Sequence, residues 1–313
     1  MIDKLYYFIS PGYNPHENIA TEEELLYRVN QGECILYLWQ NERTVVIGRN
    51  QNAWKECRIE QLSCDDGVLA RRLSGGGAVY HDLGNLNFTF LLRKKDYDTV
   101  RQSEVILRAV QNCGIQAIRN GRNDLTVDDK KFSGNAYYET GDRLYHHGTV
   151  MVNVSKADMK KYLRPSSFKL KSKGVSSVES RVMNLCEAGP DITVEKLRES
   201  LLESFRECYN LPAAEELFVE DMDIASLLKR RKKFGTVVWV YGKASEFTNQ
   251  FNFRGEYGEI YIEMKVDCGK IISAKVYSDS MDIMLPGKIE KELTGLLYDS
   301  SETEEILKKY GKV

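Results

Sequence analysis

The sequence predicts an α+β fold: mixed or antiparallel sheets flanked by helices, with a small α+β unit at the C-terminal end. Three observations lead to that class. Short β-prone runs gather ahead of helical stretches instead of alternating strictly with them. A chain of 313 residues is long for one small core, which points to two domains. After Tyr209 the chain changes character: Asn210-Leu211-Pro212 stops a helix, a basic run follows, and three further strand patterns close the sequence.

Taken in order, residues 1–10 read as a first strand. Helical spacing covers 18–29, where Ile19, Leu25, Leu26 and Val29 are apolar among Glu22, Glu23 and Glu24. Strands are expected at 34–39, 44–48 and 68–70, with a short helix at 54–62. A further strand at 78–80 follows three glycines, and 86–90 alternates like a half-buried strand. The helix at 99–113 carries Val105, Ile106, Ala109 and Val110 on one face. Strands follow near 116–120, 131–137 and 149–154, then a strong amphipathic helix at 194–209 with Thr193 at its start. The run Lys229-Arg230-Arg231-Lys232-Lys233 reads as a solvated face or, alternatively, a docking patch for an acidic partner. Strands at 250–253, 259–266 and 271–277 and a helix near 289–297 form the last unit.

Composition narrows the class. A net charge of −2 argues against general nucleic-acid binding, leaving room only for local basic patches. No apolar run approaches the ~18 residues of a membrane span. The N-terminus resembles neither a secretory signal nor a transit peptide, so a cytoplasmic protein is expected. Seven scattered cysteines without a Cys-x-x-Cys pair fit reduced thiols better than a disulfide framework or a zinc site.

The most informative segment is Arg71-Arg72-Leu73-Ser74-Gly75-Gly76-Gly77-Ala78-Val79-Tyr80-His81-Asp82. Three successive glycines carry an entropic cost that asks for a reason. Flanked by strand patterns, they form a side-chain-free turn whose N–H groups can converge on an anion, with Arg71 and Arg72 at its entrance. No P-loop string occurs, and no helix directly follows the glycines as a dinucleotide fingerprint requires. The glycines are instead expected between strands of an antiparallel unit. A glycine-rich hairpin or bulge without a ligand remains the alternative at this point.

That segment resembles the signature of the lipoate–protein ligases, which activate lipoate with ATP and attach it to a carrier lysine. Four further stretches match in order: Gly48-Arg49-Asn50-Gln51-Asn52-Ala53-Trp54-Lys55-Glu56; Gly121-Arg122-Asn123-Asp124-Leu125 with Lys131-Phe132-Ser133-Gly134; His146-His147-Gly148-Thr149; and Lys173-Gly174-Val175-Ser176-Ser177-Val178. The resemblance implies a biotin/lipoate ligase-like catalytic domain over 1–243 and a small accessory domain over 247–313, joined near 242–245. Biotin–protein ligases share the architecture but carry a Gly-Arg-Gly-Arg loop that is absent here.

By the same resemblance, Arg72, Gly77, Ala78, Val79 and Tyr80 contact ATP, while Ser74, Gly75 and Gly76 shape the loop. Asn123 and Asp124 face the site; Asp124 is a candidate Mg²⁺ ligand or, equally, a turn cap. Lys131 contacts both ATP and lipoate, and Arg72 joins it on lipoate. Strand alternation puts Lys131 and Ser133 on one face, and a mobile ammonium suits bridging carboxylate and phosphate oxygens. His81 and His147 are expected to be structural. The implied partners are lipoyl-accepting domains: E2 subunits of 2-oxoacid dehydrogenases and the H protein of glycine cleavage. Two alternatives remain, an ATP-independent lipoyl or octanoyl transferase and a non-catalytic carrier-binding relative. No cysteine lies between Cys113 and Cys186, which disfavours the thioester-forming transferase.

Overall fold

Strands β2 (Glu33–Trp39) and β6 (Asn85–Arg93) pair at the middle of an eight-stranded sheet and are buried along almost their whole length. The computed structural model describes residues 1–120, 124–164, 182–242, 247–298 and 300–311. Alternation over 86–90 therefore does not separate core from solvent. Leu86, Phe88, Phe90 and Leu92 pack beneath the sheet, whereas Asn85, Asn87 and Thr89 are buried polar side chains on the opposite face. The polar face is a site, not a surface.

The sheet is completed by β1 (Lys4–Ile9), β7 (Ile118–Asn120), β8 (Asp124–Val127), β9 (Lys130–Thr140), β10 (Arg143–Met151) and β11 (Glu215–Glu216), in the order β11-β1-β2-β6-β10-β9-β8-β7. β1 runs parallel to β2 and β11, and the other pairings are antiparallel. Helices α4 (Thr99–Asn112) and α6 (Val194–Tyr209) cover the apolar face, burying Val105, Ile106, Leu197, Leu201 and Phe205. Asp98 and Thr193 cap these helices by accepting from Arg101 N and Lys196 N.

The other face is covered by α1 (Pro15–Arg28) and a second sheet, ordered β4 (Val68–Arg71), β3 (Thr44–Ile47), β5 (Val79–His81). β4 is parallel to β3 and β5 antiparallel to it, so the glycines cross over β3 between two strands that never pair. The expected antiparallel unit is thus a mixed one. α1 starts before the periodicity at 18 because Asn14 accepts from His16 N and Glu17 N and Pro15 occupies the first turn. The single helix expected at 54–62 is two, α2 (Ala53–Glu56) and α3 (Ile59–Cys64).

The basic run is divided. It lies on α7 (Ile224–Phe234), where Lys229 and Lys232 are exposed as a solvated face would be, while Arg230, Arg231 and Lys233 meet the acidic face of α1. Arg230 pairs with Glu23 at 2.9 Å and with Glu24 at 2.8 Å, Lys233 with Glu23 at 2.8 Å, and Arg231 with Glu17. Glu23 and Glu24 are buried, and the cation that meets Glu24 is Arg230, so removing Arg230 would leave that buried carboxylate uncompensated. Among the described residues no helix is long and apolar enough to cross a membrane.

The C-terminal strands β12 (Asn249–Gly255), β13 (Gly258–Asp267) and β14 (Lys270–Ser278) form their own antiparallel sheet. They pack on α9 (Leu285–Leu293) and α10 (Ser301–Gly311) around Ile260, Ile262, Met264, Ile289 and Leu293. The expected helix at 289–297 begins earlier because Pro286 suits a first turn, and α10 was not expected at all. Residues 243–246, which hold most of the expected joint at 242–245, lie outside the described residues.

This small unit sits on the glycine loop. Ser278 N donates to Asn50 O at 3.0 Å and Gly76 N to Ser280 O at 3.2 Å. Asn50 Nδ2 donates to Ile283 O at 2.9 Å. A Cβ on Gly75 would lie 2.3 Å from Ser280 O and 2.9 Å from Met281 Cα, so only glycine permits this approach. Gly75→Ala should therefore lift the C-terminal unit from the loop. By hydrogen exchange, the Ser278 amide should lose protection in the variant while amides of β2 and β6 keep theirs. Parental protection at Ser278 would show that the contact is not what glycine is there for.

Candidate active site

The two sheets of the large unit meet around a cavity of about 180 Å³. The polar face of the main sheet supplies its floor, with Trp39 of β2, Asn87 of β6, and His147 and Thr149 of β10. The roof is Val46 of β3, the loop of Gly76, Gly77 and Ala78, then Val79 and His81 of β5. Tyr80, between them, turns to the opposite face and packs on Tyr162, ring centroids 5.5 Å apart.

Lys131 reaches the cavity through a bulge. Leu125 of β8 pairs with Ser133 but Thr126 pairs with Lys131, so β9 holds one extra residue between them. Ser133 pairs with Val150, whose side chain lies in the core beneath the sheet, and directly paired residues share a face. Ser133 and Phe132 therefore point down and Lys131 up. The expectation that Lys131 and Ser133 share a face is corrected, because strict alternation fails at a bulge. Lys130, next to it, is exposed.

Arg71 and Arg72 do not stand at the entrance. Both are buried, and their donors are taken by backbone. Arg71 donates to the carbonyls of Gly48, Arg49, Gln51, Trp239 and Val240, tying three segments together. Arg72 donates to Gly75 O at 2.7 Å, Gly77 O at 2.8 Å, Val46 O at 3.2 Å and Ser74 Oγ at 3.0 Å. It lines the cavity and holds the glycine loop from within. Burial lowers both guanidinium pKa values to about 10, which leaves them charged at neutral pH.

Ser74 is anchored as well. Its Oγ lies 2.9 Å from His147 Nε2, and His147 Nδ1 lies 2.7 Å from Glu22 Oε1. Glu22 also accepts from Thr89 Oγ1 at 2.7 Å, and Thr89 from Trp39 Nε1 at 3.1 Å. His147 thus links Ser74 to Glu22 through its two ring nitrogens. The order serine, histidine, glutamate resembles a nucleophile triad. Yet Ser74 is fully buried and its oxygen also accepts Arg72 Nε–H, so the series fixes the loop instead of presenting a nucleophile. Wholly buried Glu22 supplies the negative charge that offsets Arg72.

The structure thus gathers Arg72, Gly76, Gly77, Ala78, Val79 and Lys131 at one cavity, with Ser74 beneath the loop and Gly75 against the C-terminal unit. Asn123, with Gly121 and Arg122, lies outside the described residues, as does the segment 173–178. Asp124 begins β8, but its side chain also lies outside them. Among the described residues no cluster of three or more His, Cys, Asp or Glu is arranged to hold a metal. Sequence reasoning missed Trp39, Asn87 and Glu22. The available signal was the polar half of the alternation in β6 and a glutamate within the apolar spacing of α1.

Comparison with known proteins agrees with this geometry. The family model described as the lipoyl protein ligase A/B catalytic domain matches residues 14–206, and that of the bacterial lipoate protein ligase C-terminus matches 244–312. The chain belongs to the lipoate–protein ligase family. It is 42% identical over 296 residues to lipoate-protein ligase A of Psychrobacter cryohalolentis, covering 92% of this chain and 87% of that one. It is 37% identical over 312 residues to the Bdellovibrio bacteriovorus protein of the same name, covering 98% and 92%. Among solved structures, P. falciparum LipL1 in complex with lipoate superimposes with a TM-score of 0.80 at 31% identity, covering 97% of this chain and 94% of that one.

The family match leaves the electrostatics to this chain's own packing. Burial lowers the pKa of both His81 and His146 to about 3. His146 Nδ1 lies 2.9 Å from Gln102 Oε1 and Nε2 lies 3.0 Å from Asn135 Oδ1, and the neutral ring that burial favours donates to only one of them. An unfolded histidine titrates near 6.5, so between about pH 6.5 and 3 the unfolded chain binds protons that the folded chain refuses. Stability should then be full above pH 6.5 and fall as pH drops, by up to about 1.4 kcal/mol per pH unit for each histidine. Urea unfolding should show a lower midpoint at pH 5.5 than at pH 7.5. Equal midpoints would contradict the buried neutral state.

Proposed function

We propose that this chain is an ATP-dependent lipoate–protein ligase, acting in the cytoplasm. A lipoate carboxylate oxygen attacks the α-phosphorus of ATP, the bond to the bridging oxygen breaks, and pyrophosphate leaves. The amine of a carrier lysine then attacks the acyl carbon of lipoyl-AMP, losing a proton as AMP departs. The acceptors in this reading are lipoyl domains of E2 subunits and the H protein.

The observation that carries the reading is the convergence of Lys131 with the glycine loop at one cavity. Carboxylate and triphosphate repel, so the first step needs a positive group that touches both and a loop that holds the phosphate in line. Lys131 fits the first need, and a glycine loop shaped by Arg72 fits the second. Mg²⁺ bound with the triphosphate would offset phosphate charge and take most ligands from phosphate and water, with Asp124 its candidate protein ligand. A thioester-forming transferase would need a nucleophilic cysteine at the cavity, and none of the described residues lining it is cysteine. The relatives support the same activity: the two bacterial proteins are called lipoate-protein ligases, and the P. falciparum protein was solved with lipoate.

Lys131→Met keeps the aliphatic stem and removes the charge. Lipoyl-adenylate formation, followed by mass spectrometry, should fall on the order of 10²-fold or more, the scale of losing one preorganised stabilising group. The fold should melt as the parent does. Exposed Lys130→Met is the control and should be nearly silent. A folded Lys131→Met variant that forms adenylate at the parental rate would refute the role.

A further inference from the structure

The cavity reaches beyond the glycine loop. Gly77 and His81, which both line it, are four residues apart, up to about 13 Å of extended chain. If the acyl carboxylate sits by the loop and Lys131, His81 faces the other end of the acid.

The proton on His81 can be placed by hydrogen bonding alone. Asn18 Nδ2 donates to the carbonyls of Gln40 at 2.8 Å and Gly12 at 3.3 Å, which can only accept, so its orientation is set. The same nitrogen lies 2.9 Å from Asn41 Oδ1, which turns Asn41 Nδ2 toward His81 Nδ1 at 3.1 Å. Nδ1 therefore accepts, and the ring proton of the neutral imidazole is on Nε2. Burial holds the ring neutral, with a pKa of about 3. Nε2 is buried and has no hydrogen-bond partner. Trp39 stands edge-on to the ring, with centroids 6.2 Å apart. Asn87, on the floor of the same cavity, likewise has a buried side-chain nitrogen without a partner.

A buried donor without an acceptor is costly, and it favours a ligand that supplies one. Lipoate differs from octanoate at the end remote from the carboxylate, where its 1,2-dithiolane offers sulfur lone pairs and octanoate only a methyl group. We propose that His81 reads this end of the acid, its Nε2–H donating to a dithiolane sulfur, so that the site prefers a sulfur-headed chain over a plain aliphatic one. Sulfur is a weak acceptor, but at a buried donor it need not compete with bulk water. The inference rests on the ligase reading and names which acid the same site prefers.

The test compares lipoate and octanoate by calorimetry with the parent and with His81→Phe, which keeps a ring and removes the donor. The parent should favour lipoate, and in the variant that preference should shrink roughly three- to tenfold, the worth of one modest hydrogen bond. Should the variant fail to fold, the ¹⁵N-labelled parent decides. Lipoate should shift the His81 Nε2–H resonance and octanoate should leave it near its free position. A folded variant with unchanged preference, or equal shifts from both acids, would overturn the inference and leave the ligase reading intact. A parent that binds neither acid and forms no adenylate would count against the ligase reading itself.

Discussion

The site depends on how a loop without side chains is held still. Gly75, Gly76 and Gly77 offer nothing but backbone, and free glycine is the most mobile of residues. Arg72 solves this from inside, with a planar fork of donors on the carbonyls of Gly75 and Gly77 and on Ser74 Oγ. Leaving one buried carbonyl without its donor costs about 1–3 kcal/mol, so the loop and the guanidinium stabilise each other. The charge is tolerated because Glu22 is buried nearby. Glu22 is in turn tied to the loop through His147 and Ser74.

The same constraint explains the neighbours. Arg71 fastens the strand before the loop to the segment of Gly48, Arg49 and Gln51 and to the helix carrying Trp239. A Cβ on Gly48 would fall 2.1 Å from Gly76 O, so that segment can lie against the loop only as glycine. The C-terminal unit completes the enclosure through Ser280 and Met281. It covers one side of the glycines.

Much of this was legible in the chain. Helical spacing located α4 and α6, and the motif strings identified the family. What could not be read was orientation. Arg71 and Arg72 looked like free anion partners because sequence does not show which donors backbone will consume. Lys131 and Ser133 were assigned one face because a bulge leaves no mark in the alternation. Arg230, Arg231 and Lys233 looked solvated like their neighbours because their partners, Glu17, Glu23 and Glu24, lie some two hundred residues earlier on α1. Glu22 was masked by its acidic neighbours, although it alone among them reaches His147.

The most direct measurement is lipoate-dependent exchange of labelled pyrophosphate into ATP with no carrier protein present. If, as proposed, the loop holds phosphate beside Lys131, exchange should require lipoate and saturate with it, because the adenylate would form reversibly before any carrier binds. No exchange, together with intact transfer of a lipoyl or octanoyl group between carriers, would contradict the account.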